Sequence, residues 1–259
     1  MKTIKWFTDT ETTGLVKLLE QILSFSVVLE ENVDTVQAYE KTVLLKDNVL
    51  PHPSALLVNK INPFASQWKH NSMSEYEAYL HLKNLFIKYK QAGYRIVMIA
   101  YNLEFDDNMY QEMFHRFGDD LNNYICTKFD PLITVKKLIE QGKLVTKEVQ
   151  TTFSKSYMTS KLEEVYKALG YDSSSFKAHT ALDDTLMLQM VTHGIYYLAL
   201  DKKLDELTAS PENYSLNQVV QIISEDEKMG VHKKFFKVLY NVIENQRLLV
   251  LDDQATQAS

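Results

Sequence analysis

The chain has 259 residues, enough for one substantial core with a smaller appendage. It is 45% hydrophobic and 24% charged, and no apolar run approaches the roughly 20 residues that span a bilayer, so the sequence predicts a soluble protein with no membrane partner. One cysteine, Cys126, excludes an internal disulfide and suits a cytoplasmic setting, and the net charge of −6 argues against a long basic track for duplex nucleic acid. The N-terminus reads without a secretory leader. Cys126 has no partner base nearby in the sequence and is expected to fill a strand rather than to act as a nucleophile.

Residues 4–9, 22–29 and 36–45 are rich in Val, Ile, Leu, Phe and Thr and predict strands. Residues 53–60 predict a short helix closed by Asn62-Pro63. A longer helix over 74–90 sets its Tyr, Leu and Phe residues at mixed spacings of three and four, and ends at Gly93. The apolar run 96–100 predicts a buried strand. Helices are expected next over 105–117, over 131–140 with Pro131 in its first turn, and over 156–169 up to Gly170. Strands followed by helices around a returning central strand predict an α/β layered domain. Beyond residue 197 the pattern shortens to helical pieces at 202–207, 215–223 and 231–243, which predict a small C-terminal helical appendage over 198–250. Lys233, Lys234 and Lys237 beside Phe235 and Phe236 could touch a nucleic-acid backbone, but read first as an amphipathic helix with a solvated lysine face. The polar stretch 251–259 predicts a disordered tail.

The chemistry starts at residues 9–14, Asp-Thr-Glu-Thr-Thr-Gly, directly after the first predicted strand. Side chains two apart on a strand project the same way, so Asp9 and Glu11 would share a face. Two crowded carboxylates at a buried strand end repel each other and lose hydration, a cost that a cation between them relieves. Asp9 and Glu11 would also suit an acidic N-cap loop after strand one. Residues 96–106 then run from apolar strand into Asn102-Leu-Glu-Phe-Asp106, and His179-Thr-Ala-Leu-Asp-Asp184 opens a helical stretch.

These three segments, in this order and spacing, resemble the signature motifs of the DEDDh 3′→5′ exonuclease superfamily. Residues 51–63, running from Pro51-His-Pro to Asn62-Pro63, and residues 100–107, Ala-Tyr-Asn-Leu-Glu-Phe-Asp-Asp, are most similar to bacterial exonuclease I. The first motif is instead similar to polymerase proofreading subunits, and 259 residues leave no room for the large C-terminal domains of exonuclease I. The resemblance implies a ribonuclease H-like fold over residues 1–197: a mixed five-stranded sheet flanked by helices. The site would lie where the first and fourth strands end.

The implied ligands are Asp9, Glu11, Asp106 and Asp184, holding two Mg²⁺ or Mn²⁺ ions, since hard cations prefer oxygen donors. With those four charges assigned to metal, the rest of the chain carries −2, which predicts recognition of a few nucleotides at a strand end. Apolar spacing does not separate Asp183 from Asp184. The family's interval from His179 selects Asp184, and its Phe-Asp pairing selects Asp106 over Asp107. His179 is the implied general base, with an ordinary pKa of about 6.5. Five helical residues turn through about 500°, so His179 would converge with Asp184 only from the loop before the helix. Thr12, through its backbone, and Leu15, through its side chain, are the implied substrate contacts; Leu15 would equally suit core packing. The expected activity is release of nucleoside 5′-monophosphates from single-stranded 3′ ends, DNA being favoured. RNA trimming is the first alternative. A proofreading or docking subunit, with a protein partner on the C-terminal extension, is the second.

Overall fold

The computed structural model describes residues 2–16, 19–32, 34–150, 156–173, 176 and 180–209. Eight strands lie among the described residues: β1 Lys2–Phe7, β2 Thr10–Thr12, β3 Ile22–Glu31, β4 Asp34–Thr42, β5 Tyr94–Ile99, β6 Thr127–Phe129, β7 Glu148–Gln150 and β8 Ser156–Met158. The helices are α1 Pro53–Asn59, α2 Ser66–Asn71, α3 Glu75–Gln91, α4 Leu103–Arg116, α5 Pro131–Glu140, α6 Leu162–Ala168 and α7 Ala181–Ala209.

Six strands form one mixed sheet. β1 pairs antiparallel with β3 and parallel with β5, β5 continues parallel to β6, and β4 closes the other side antiparallel to β3. β1 and β2 both lie along β3, Phe7 opposite Val28 and Thr10 opposite Phe25, so they are two halves of one strand broken at Thr8-Asp9. Six segments therefore fill five positions, and this is the mixed five-stranded sheet the resemblance implies.

Both faces of the sheet are covered, which is why β3 is buried from Ile22 to Glu30 and reads as an almost unbroken apolar run. On one face Trp6, Phe25 and Ile96 pack with Phe86 of α3 and Tyr110 and Phe114 of α4. On the other, Phe7, Val28 and Ile99 meet Leu188 of α7. A capping box starts α3: Ser74 Oγ accepts from Glu77 N–H, and the Glu77 carboxylate accepts from Ser74 N–H. Gly93 (φ 81°) ends that helix and lets the chain reverse into β5.

The seating of α7 is decided by polar contacts. Side chains at 26, 28 and 30 of β3 share a face. Ser26 is hydrogen-bonded to Thr185. Glu30, fully buried, accepts from Gln189 Nε2 (2.6 Å) and lies 2.8 Å from His193 Nε2 and 2.6 Å from Lys5 Nζ. Thr185, Gln189 and His193, each four apart, form one stripe of α7. Burial pushes the Glu30 carboxyl up, but hydrogen bonds from His193, Lys5 and Gln189 outweigh it and bring the pKa down to about 2.

Several expectations need correction. Residues 156–169 are not one helix: Ser156–Met158 pairs with Glu148–Gln150 as a hairpin, and the helix starts at Leu162. The alternation that reads as amphipathic over that stretch belongs partly to a strand. Cys126 is exposed, one residue before β6, and fills no strand. Residues 202–207 belong to the continuous helix α7 rather than to a separate piece. The chain divides into two units, Met1–His193 and Gly194–Ser259. The pieces at 215–223 and 231–243, the lysines at 233, 234 and 237, and the tail 251–259 lie outside the described residues. Among the described residues no helix is long and apolar enough to cross a membrane.

Glu30→Ala should destabilise the protein by about 3 kcal/mol, because it strands buried polar partners. Urea unfolding measures this, and Lys5→Ala, at a partly exposed position, should cost less. The folded pKa of Glu30 is depressed, so its contribution is complete above about pH 4.5 and is lost as the pH falls through about 2.

Candidate functional site

β1 and β5 run parallel and end together, with Thr8 N–H donating to Ile99 O (3.0 Å). The strand then breaks. Asp9 N–H turns to Ser26 Oγ (3.1 Å), while Asp9 O accepts from Ser26 N–H (3.1 Å). Thr8 Oγ1 donates to Ser26 O (2.7 Å), which leaves Tyr110 Oη as the donor to Thr8 (2.6 Å). Thr185 Oγ1 donates to Ala181 O (2.8 Å), so Ser26 is the donor in the Ser26–Thr185 pair. A chain of short polar contacts thus links Asp9 to the residue that follows Asp184.

The result is convergence. One carboxylate oxygen from each of Asp9, Glu11 and Asp184 lies within 4.8 Å of the others. Asp106, in the first turn of α4 and 3% exposed, accepts from Thr10 Oγ1 (2.7 Å); its charge acts on Asp9 and Glu11, though it is outside that group of three. The neighbouring Asp107 is turned away and held by Lys128 Nζ at 2.7 Å.

A second carboxylate fixes α4. Asp130 accepts from Asn102 N–H (3.1 Å), Leu103 N–H (3.2 Å) and Leu132 N–H (2.9 Å), capping α5 while holding the start of α4, where Asn102 is left-handed (φ 64°).

The electrostatics follow from crowding. Burial, then the charges of Asp106, Glu11, Asp184 and Glu40, push the Asp9 carboxyl well above its ordinary range. Burial, then Asp184, Glu40 and Asp106, lift Glu11 to about 8. Burial lifts Asp106 to about 7 against the opposing hydrogen bonds from Thr10. Protons or cations must neutralise such a group. An all-oxygen donor set with this spacing fits a hard divalent cation such as Mg²⁺ or Mn²⁺.

Glu40 was not anticipated from the sequence. It lies on β4 opposite Ser26, which itself pairs with Asp9, so the three sit abreast across the sheet. Only strand register reveals that placement. Asp130 was missed likewise, although Asp130-Pro131 ahead of a helix is a capping signal.

His179 lies outside the described residues. Thr12 is 5% exposed; its carbonyl accepts from Asn59 Nδ2 (2.9 Å) and its hydroxyl donates to Gly14 O (2.7 Å). Leu15 is 83% exposed, which removes the core-packing reading. Gly14 leaves the space that the Glu20 carboxylate fills, where a Cβ would clash, and Glu20 accepts from Thr13 Oγ1 (2.5 Å).

The raised pKa of Glu11 has a testable consequence. The folded state holds more protons than the unfolded one between about pH 4.5 and 8, so this group's stabilisation is present below 4.5 and is lost as the pH rises through about 8. In EDTA, the Tm of Glu11→Gln should exceed that of the parent increasingly from pH 5 to pH 8 in thermal scans. Mn²⁺ should restore the parent at pH 8 and leave the variant less affected.

No protein-family profile matches the sequence, and no curated protein matches it. Solved structures do. The chain is similar to E. coli exonuclease I in complex with a dT13 oligonucleotide, at 19% identity and a TM-score of 0.63, over 80% of this chain and 44% of that one. It is similar to the zinc ion-bound E. coli exonuclease I complex with single-stranded DNA, at 19% identity and a TM-score of 0.62, over 79% and 42%. A product-bound exonuclease I matches at 18% identity and a TM-score of 0.60, over 81% and 48%. This chain thus spans less than half the length of the exonuclease I chains it matches. At such identity the likeness is one of architecture: the chain has the ribonuclease H-like fold found in exonuclease I.

Proposed function

We propose that this protein is a metal-dependent 3′→5′ exonuclease acting on single-stranded 3′ ends, with DNA as the favoured substrate. One observation carries the reading. Asp9 and Glu11 lie far from Asp184 in the sequence, yet the three meet within 4.8 Å, on a fold shared with an exonuclease. A structural salt network would surround such carboxylates with lysine or arginine, as Glu75 is surrounded by Lys46 and Arg116. The shifts of Asp9 and Glu11 instead come from burial and from other acids.

In this reading Asp9, Glu11 and Asp184 hold the divalent cations, with Asp106 alongside. Bound there, two cations would lower the pKa of a water and offset charge on the departing oxygen. His179 would take the proton from the attacking water as its oxygen bonds to phosphorus, and the 3′-oxygen would leave with the electron pair of the broken phosphorus–oxygen bond and take a proton from solvent. Leu15, together with the exposed Leu57 and Val58 of α1, supplies an apolar rim for terminal bases, which stack without regard to sequence. α1 is fixed beside β2 by Asn59 on Thr12 O and by His52 N–H on Thr13 O (2.7 Å). Thr12 would contribute through its backbone N–H, since Asn59 occupies its carbonyl. The preference for DNA is supported by neighbours solved with single-stranded DNA.

Matched 5′-labelled DNA and RNA oligonucleotides, with Mg²⁺ or EDTA, test this directly. Ladders shortening from the 3′ end should require metal, run faster on DNA, and fall at least 100-fold in Asp184→Asn and His179→Ala (about 10²–10⁴-fold is usual for a lost acid–base group). Cleavage surviving EDTA, or starting at internal bonds, would sink the proposal. Leu15→Ala should raise KM several-fold and leave Tm within about 1 °C, since an exposed leucine contributes little to the core.

A further inference from the structure

We propose that Glu40 is a positioning residue for this site: it caps the N-terminus of α7 and thereby sets Asp184 against Asp9 and Glu11. This rests on the metal-dependent reading above. The first N–H groups of a helix have no partner within it. At α7, Asp183 N–H is served by Thr180 Oγ1 (3.3 Å) and Asp184 N–H by Thr180 O (3.0 Å). Leu182 N–H is served across the fold, by Glu40 Oε2 at 3.3 Å from β4. A carboxylate suits a helix N-terminus, where the backbone dipole is positive.

The position is costly for another reason. Glu40 adds its charge to that already on Asp9 and Glu11 and pushes both carboxyls further up. The bond to Leu182 needs only an acceptor oxygen, so the charge is a cost that accompanies the cap and is not what makes it. Glu40 sits abreast of Ser26 and Asp9 in the sheet, so its bond to Leu182 and the Ser26–Thr185 bond grip the first turn of α7 at two points on either side of Asp184 in sequence. Hydrogen bonds that hold a metal ligand in place, as these hold the turn carrying Asp184, tune its affinity, and their loss usually weakens metal binding 10–100-fold.

The test compares Glu40→Ala with Glu40→Gln in the full chain, reading Mn²⁺ binding by calorimetry and hydrogen exchange of the Leu182 amide. Glu40→Ala should weaken Mn²⁺ binding roughly 10-fold and speed that exchange. Glu40→Gln retains an acceptor oxygen and should keep both within about threefold of the parent, with KM for an oligonucleotide unchanged in each variant. Unaltered binding and exchange in Glu40→Ala would overturn the proposal. So would a Gln variant as impaired as the Ala variant, which would assign the role to charge or direct ligation. Failure of the parent to bind Mn²⁺ would count against the metal reading itself; faster Leu182 exchange in Glu40→Ala would then still uphold the cap, and unchanged exchange would refute it.

Discussion

The site depends on the polar seam between β3 and α7. Ser26 and Glu30 on the strand meet Thr185, Gln189 and His193 on the helix, and these contacts fix which residue of α7 faces which residue of the sheet. Apolar packing alone would not do so, because Leu188 against Phe7, Val28 and Ile99 is a greasy contact that tolerates sliding and rotation. Hydrogen bonds at two points along a rigid helix do not tolerate it. With the register set, Asp184 arrives at Asp9 and Glu11.

That convergence works against stability. Carboxylates gathered at a strand end, partly withdrawn from water, repel each other, and the surrounding structure must hold them there in the absence of a counter-charge. The break in the first strand is part of the same arrangement. By leaving the β1 ladder, Asp9 donates its N–H to the Ser26 hydroxyl and accepts from the Ser26 N–H, while its side chain turns towards the acids. The aromatic packing of Trp6, Phe86, Tyr110 and Phe114 lies on the face of the sheet that α7 does not cover.

How far the sequence reveals this varies by residue. The α/β layering and the pairing of Asp9 with Glu11 were legible, because a two-residue strand interval and long apolar runs are local signals; the topology of the sheet came only from the motif resemblance. The convergence with Asp184 was legible only through motif resemblance. Helical spacing left Asp183 and Asp184 equivalent, since what separates them is a seam formed with residues about 160 positions away. Asp107 was ambiguous for the same reason until its pairing with Lys128 placed it on another face. Glu40 carried no local signal, because its position follows from which residue of β3 it faces. Ser156–Met158 was misread because three strand residues next to a helix mimic one more helical turn. Exposure decided Leu15, and no one-dimensional pattern reports exposure in a loop.

Asp130 has a consequence for how the site meets its ligands. With three amides gathered on one carboxylate, the left-handed turn at Asn102 is assembled before any substrate arrives. The approach to Asp106 is therefore preorganised, and the entropy of ordering that corner is spent during folding rather than at binding. Any ligand of that corner would bind free of that penalty.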